Sequence, residues 1–91
     1  MIQYTAPSAN DIQALKDSLG YSSRQMADLA SVSGGQQWRK YTGGAAVREI
    51  NMHMLFFIAA RLALTKDEIE KIVRKMQQIG AQVDVDDFIH D

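Results

Sequence analysis

The chain has 91 residues, 46% hydrophobic and 23% charged, with one proline and no cysteine. That is the size of one small domain, which buries roughly 60–65% of its unfolded surface and has no room for a deep substrate cavity. Lack of cysteine excludes a disulfide scaffold, a thiol nucleophile and a cysteine-ligated metal, and fits a reducing cytoplasm.

The first ten residues hold no basic stretch followed by an apolar run, so no secretory signal is expected. A first helix is predicted over 8–19. Pro7 and Ser8 open it, Ser8 or Asn10 caps it, Ile12, Leu15 and Leu19 recur at helical spacing, and Gly20 stops it. A second helix is predicted over 22–30, starting at Ser22 or Ser23, with Met26, Ala27, Leu29 and Ala30 on its buried face. A third is predicted over 33–42, ended by Gly43-Gly44, with Trp38 and Tyr41 on one side.

The fourth, over 51–63 with Asn51 as cap, contains Met54-Leu55-Phe56-Phe57-Ile58-Ala59-Ala60, apolar on every side. A helix of this kind is central, or is buried once in the core and once against a partner. No run reaches the length that spans a bilayer, because His53 and Arg61 interrupt the apolar stretch 52–64. A soluble, cytoplasmic protein is expected. The fifth helix, over 65–79, opens on the capping box Thr65-Lys66-Asp67-Glu68 and carries the stripe Ile69, Ile72, Val73, Met76, Ile79 up to Gly80. Beyond it, 81–86 alternates apolar and polar residues, the pattern of a short strand that either pairs with a second copy or stays loose.

The net charge of −1 argues against a plainly basic nucleic-acid binder. The charge is unevenly spread, however. Residues 80–91 hold four aspartates and no lysine or arginine, which leaves ten basic against seven acidic residues before position 80. Arg39, Lys40 and Arg48 share the stretch 31–48 with no acid. A local positive patch is therefore compatible with the acidic total.

Residues 21–44 have the layout of two short helices around a tight turn. Ala27 lets the helices cross closely, Val32 plugs the turn, and Trp38 and Tyr41 pack the second helix inward. At about 100° per residue, that leaves Gln36, Arg39 and Lys40 outward and Gln37 on the flank. Glutamine reads adenine and arginine reads guanine in the major groove, while lysine mostly contacts phosphate. Ser33, Gly34 and Gly35 are small enough for close approach to a phosphate or base edge, and Ser22, Ser23 and Arg24 are placed to clamp the backbone nearby.

The stretch Ser22-Ser23-Arg24-Gln25-Met26-Ala27-Asp28-Leu29-Ala30, then Ser31-Val32-Ser33, then Trp38-Arg39-Lys40-Tyr41 and a glycine, resembles the helix-turn-helix of the Cro/lambda-repressor superfamily, also called the XRE family. Ser31 stands where that family commonly has glycine, and Gly34-Gly35 lengthens the turn. The resemblance covers most of the chain. It implies an all-α, five-helix lambda-repressor-like domain over 1–79, followed by an acidic tail over 80–91 that is a candidate dimerisation strand. It also implies operator DNA as partner and a homodimer as the acting species. Gln36, Gln37 and Arg39 would face bases. Ser22, Ser23, Arg24, Ser33, Gly35, Lys40, Thr42 and Arg48 would face phosphates. Phe56, Phe57, Ile72, Met76, Val83 and Val85 are the expected dimer surface. A small bacterial, phage or plasmid transcriptional regulator, most simply a repressor, is the expected function.

No enzyme is expected. No serine has a visible base and orienting acid, no nucleotide loop is present, and His53 and His90 stand 37 positions apart. No cofactor, metal or small-molecule substrate is implied, and the aspartates of the tail form no fixed set of oxygen ligands. The methionines read as packing filler. The alternative is a helical protein-interaction module, an adaptor or antitoxin-like partner, that uses the same fold with Phe56, Phe57 and the acidic tail at the contact.

Overall fold

Three of the helices begin on reciprocal side-chain caps. Ser8 starts α1 (Ala9–Leu19): its hydroxyl oxygen accepts from Asp11 N–H while Asp11 accepts from Ser8 N–H. Ser22 and Gln25 do the same for α2 (Ser23–Ala30), and Thr65 and Glu68 for α5 (Lys66–Ile79). Each pair satisfies donors that the first turn leaves free. α4 (Met52–Ala63) starts on Asn51, whose side-chain oxygen accepts from Met54 N–H at 2.8 Å. The computed structural model describes residues 1–43 and 46–89, so the glycine stop is described only at Gly43. Gly44, His90 and Asp91 lie outside the described residues. These comprise five α-helices and one 3-10 turn with no strand among them, an all-α protein.

The Glu68 carboxyl is held below its ordinary pKa, first by the Thr65 backbone N–H, then by the Thr65 hydroxyl, with Lys71 adding to both. A carboxylate lowered on folding contributes stability above its unfolded pKa and loses it as pH falls through the folded value. The wild type should therefore lose melting temperature relative to Glu68→Gln as pH falls from about 6 to about 3, since glutamine keeps the capping geometry without the charge. A melting difference that stays flat over this range would remove the charge from the cap.

Helix ends are equally local. Gly20 ends α1 with φ 67°, and Gly80 ends α5 with φ 123°, both in the region that glycine enters freely. α2 ends on Ser31 at φ 58°, the one described non-glycine residue with positive φ. Its N–H donates to Asp28 carbonyl at 3.2 Å, and the next N–H, of Val32, donates to Ala27 carbonyl at 2.9 Å. These two bonds use carbonyls the helix end leaves free and offset the strain of a left-handed serine. They also reverse the chain into α3 (Gly35–Arg39).

α3 is shorter than the expected 33–42. Gly34, its cap, has no side chain to accept from the first turn. At the other end Lys40, Tyr41 and Thr42 donate to carbonyls three residues back, so the chain tightens into turns that reach Gly43.

Two compact units are present, Met1–Phe56 and Phe57–Asp91, with the boundary inside α4. In the first, Ile12, Met26, Ala27, Leu29, Ala30, Trp38, Tyr41 and Ile50 are buried, and α2 packs on α3. The extended N-terminal segment is tied in by the Tyr4 hydroxyl, which donates to Ile50 carbonyl at 2.7 Å.

In the second unit Ile58, Ile69 and Val73 are buried. The expected strand over 81–86 is not formed. Asp84 Oδ1 accepts from Asp86 N–H at 2.9 Å, an aspartate turn that starts a 3-10 helix at Val85–Asp87 instead of letting the chain extend. The segment folds back along α5, where Gln77 Nε2 donates to Val83 carbonyl at 2.9 Å. Val83 and Val85 are half-buried there, so their alternation with aspartate reflects burial against a helix and not a pleat. The Phe88 ring meets Phe57 edge-on, with centroids 5.9 Å apart and planes at 79°.

Candidate nucleic-acid interface

α3 is held by two rings. Trp38 is fully buried and Tyr41 is 9% exposed, with centroids 6.2 Å apart and planes tilted by 51°. Because consecutive helical residues are about 100° apart, fixing Trp38 inward turns Gln36, Arg39 and Lys40 to the surface. All three are exposed, and Gln37 is half-buried at the edge.

The close approach of α2 and α3 depends on Gly35. A Cβ at that position would stand 3.2 Å from Ser23 Cβ, 3.4 Å from Arg24 N and 3.4 Å from Arg39 Nη1. The Arg39 side chain thus leans back toward the start of its own helix, over the space that Gly35 leaves, as long helical side chains do. Gly34 has open space around it and an extended backbone, with φ 168°. The same substitution should therefore act oppositely at the two positions. Gly34→Ser supplies the missing cap and should raise stability by a few tenths to about 1 kcal/mol. Gly35→Ser presses on Ser23 and should lower stability by on the order of 1 kcal/mol. Urea melts of the two variants check the sign at each site.

The other residues expected at phosphates are spread around this helix. Ser22, Arg24, Ser33 and Arg48 are exposed, while Ser23, Gly35 and Thr42 are half-buried. Ser22 uses its oxygen as the α2 cap but keeps its hydroxyl proton to donate. The Thr42 hydroxyl donates to Arg39 carbonyl at 3.4 Å. Arg48 is brought to α3 by its backbone: its N–H donates to Lys40 carbonyl at 2.7 Å. Arg39, Lys40 and Arg48 therefore share one end of the helix, and among the described residues no carboxylate pairs with any of their side chains. Lys40 Nζ instead donates to Gln37 Oε1 at 3.1 Å. The i, i+3 spacing carried a signal for that bond. Nothing in the sequence of the loop announced the Arg48 link.

The residues expected at a dimer contact are unevenly exposed. Phe56 is 73% exposed and Ile72 41%. Phe57 is half-buried, with Phe88 against its edge and the Arg61 guanidinium 5.4 Å from its ring centroid. Met76, Val83 and Val85 are half-buried. Ile79 is 80% exposed and extends the Ile72–Met76 stripe by one turn, and Leu62 is also exposed. Periodicity marked Ile79 as part of that stripe but not Leu62, and it marks an apolar face without saying how far the fold covers it.

Among the described residues no group of three or more histidine, aspartate or glutamate side chains is placed to hold a metal ion. Nor is any helix long and apolar enough to cross a membrane. No family model, no curated protein and no solved structure matches this chain, so the chemistry of this surface is to be read from its own geometry and charge.

Proposed function

We propose that this protein binds double-stranded DNA in a sequence-specific way and regulates transcription from an operator, as the resemblance to the Cro/lambda-repressor (XRE) family implies. In this reading α2 and α3 form the helix-turn-helix and α3 enters the major groove. One observation carries it. A five-residue helix is anchored by two buried rings, and its outer side displays only glutamine and cationic side chains. Gln36, Gln37 and Arg39 then meet base edges, while Ser22, Ser23, Arg24, Ser33, Gly35, Lys40, Thr42 and Arg48 meet phosphates. The first unit carries five basic and four acidic residues, so the acidic total of the chain resides in the second. The protein acts as a homodimer in the cytoplasm, with Phe56, Ile72 and Met76 at the subunit contact and Phe57, Val83 and Val85 supporting it.

A second reading is favoured by the exposed rings and aliphatics of Phe56 and Ile79: a protein-interaction module in which α3 is merely solvated. Selection from random double-stranded DNA separates the two. The DNA reading expects an enriched palindrome, because a twofold dimer reads two half-sites, and an affinity that falls with salt by about 0.9 log unit per log unit for each phosphate contact. No enrichment over bulk DNA would leave the interaction module. An enriched site without symmetry would remove the dimer and keep the DNA.

A further inference from the structure

We infer that two copies of this chain pair through α5 in antiparallel order, about a twofold axis beside Ile72, with the Glu68 carboxylate of each copy against the partner's Lys75. The inference rests on the homodimer in the reading above and deepens it, giving that dimer an axis, a register and the charges that fix both.

α5 leaves one face uncovered. Ile69 and Val73 are buried in the second unit. To one side of them Gln77 holds the returning tail through Val83 carbonyl, and Glu70 and Arg74 pair within the helix. To the other side Ile72 is 41% exposed and Ile79 80%, and Glu68 and Lys75 are exposed with them. At about 100° per residue these four fall within about 60° around the helix. In chain order they alternate acid, isoleucine, base, isoleucine, with Glu68 and Lys75 seven residues apart, as Ile72 and Ile79 are. Neither charge is used up inside the chain. Among the described residues no carboxylate pairs with Lys75. Glu68 accepts Thr65 N–H on Oε1, which leaves Oε2 for an outside cation.

This alternation is complementary to a second copy of itself. A twofold contact is isologous: if residue 68 meets residue 75, residue 75 meets residue 68. Antiparallel helices with the axis between residues 71 and 72 form the pair of Glu68 with the partner's Lys75 twice, and Ile72 meets the partner's Ile72 between the two pairs. Each Ile79 then covers the start of the partner's α5, beside the partner's Leu64. Other registers set like charges together. An axis at Lys75 faces it with the partner's Lys75, and an axis at Glu68 faces two carboxylates. Parallel order puts Glu68 level with the partner's Glu68 and about 10 Å along the helix from the partner's Lys75. Lys71 stands about 40° further round than Lys75, at the rim, where salt and water screen it, and its charge acts on Glu68 of its own helix. The isoleucines supply the adhesion and the charges supply the register.

The test is made on the full chain without DNA, by sedimentation and by cross-linking. The wild type should be a dimer at tens of micromolar. Lys75→Glu and Glu68→Lys should each weaken the dimer by roughly 10- to 100-fold at low salt, because two attractive pairs become two repulsive ones. An equimolar mixture of the two variants should recover the dimer, since both pairs are again of opposite sign in the mixed species, whereas a variant that had merely unfolded would recover nothing. The chain has no cysteine, so a single introduced thiol reports its own distance across the axis. Ile72→Cys should oxidise to a covalent dimer. Ile79→Cys should not, because its two copies lie about 22 Å apart along the helices, beyond the reach of a disulfide. Three results would overturn the inference: charge variants that dimerise as tightly as the wild type; a mixture that stays monomeric; or Ile79→Cys linking as readily as Ile72→Cys, the mark of parallel order. A wild type that stays monomeric at this concentration would remove the inference and the homodimer together, while selection from random DNA still decides the DNA reading by itself.

Discussion

Replacing Trp38 with alanine should cost about 3–5 kcal/mol, the range for removing a fully buried large aromatic side chain. Trp38 is one of the largest wholly buried side chains in the chain and, with Tyr41, holds α3 in place. A domain of this size has only about 5–15 kcal/mol of total stability, so the variant should melt far below the parent or be partly unfolded at 25 °C. α3 has little else to keep it helical: it is five residues long and its cap is Gly34, without a side chain to accept from the first turn. Trp38→Phe separates ring packing from hydrogen bonding. The Trp38 Nε1 is buried and has no acceptor among the described residues. Phenylalanine thus loses no bond and removes an unpaired donor, which offsets part of the volume lost. It should cost well under half of what alanine costs. Urea melts followed by far-ultraviolet circular dichroism check both values, since neither variant retains the only tryptophan for fluorescence. An alanine variant within about 1 kcal/mol of the parent would mean that the ring is not what anchors the helix.

How much of this was legible in the sequence depends on how local each cause is. Four of the five helix starts were legible, α3 being the exception, because a cap is made by residues three apart and needs nothing from the rest of the chain. Ser8 with Asp11, Ser22 with Gln25, Asn51, and Thr65 with Glu68 are all of this kind. The outward display of Gln36, Arg39 and Lys40 was legible too, once Trp38 and Tyr41 were turned inward, because helical rotation then leaves no choice. The length of α3 was not. Its end is decided by whether Lys40 and Tyr41 bond three or four residues back, and the pull of Arg48 on the Lys40 carbonyl comes from across a loop with no periodic pattern. The tail misled for a related reason. Val83 and Val85 alternate with aspartates as a strand would, yet a segment lying along a helix can also bury every second residue. The side chain of Asp84, bonding two residues ahead, decided against extension. The cover that Phe88 gives Phe57 joins residues 31 positions apart, and no local pattern marks it.

The second large effect is expected at Arg39. Arg39→Ala should relax base preference at one position of the half-site by about 1–3 kcal/mol, the worth of an arginine fork on guanine N7 and O6. The affinity for bulk DNA should change less. Arg48→Ala is the matched control, because Arg48 lies beside the end of α3 but is carried there by a loop. It should weaken all sequences alike and lower the salt slope by about one unit. Competition binding against single-base variants of the selected site, repeated at several salt concentrations, reads both quantities from the same protein. If Arg39→Ala behaves as Arg48→Ala does, the guanidinium contacts only phosphate and the base readout falls to the glutamines. Gly35 adds an internal check on the same side chain. Arg39 Nη1 rests 3.4 Å from where a Cβ on Gly35 would be, so filling that space should displace the guanidinium without removing it. Gly35→Ser is then expected to lose preference at the same base position as Arg39→Ala, and the double variant should lose little more than either alone. Two residues acting on one contact are non-additive in this way, whereas two independent phosphate contacts would sum.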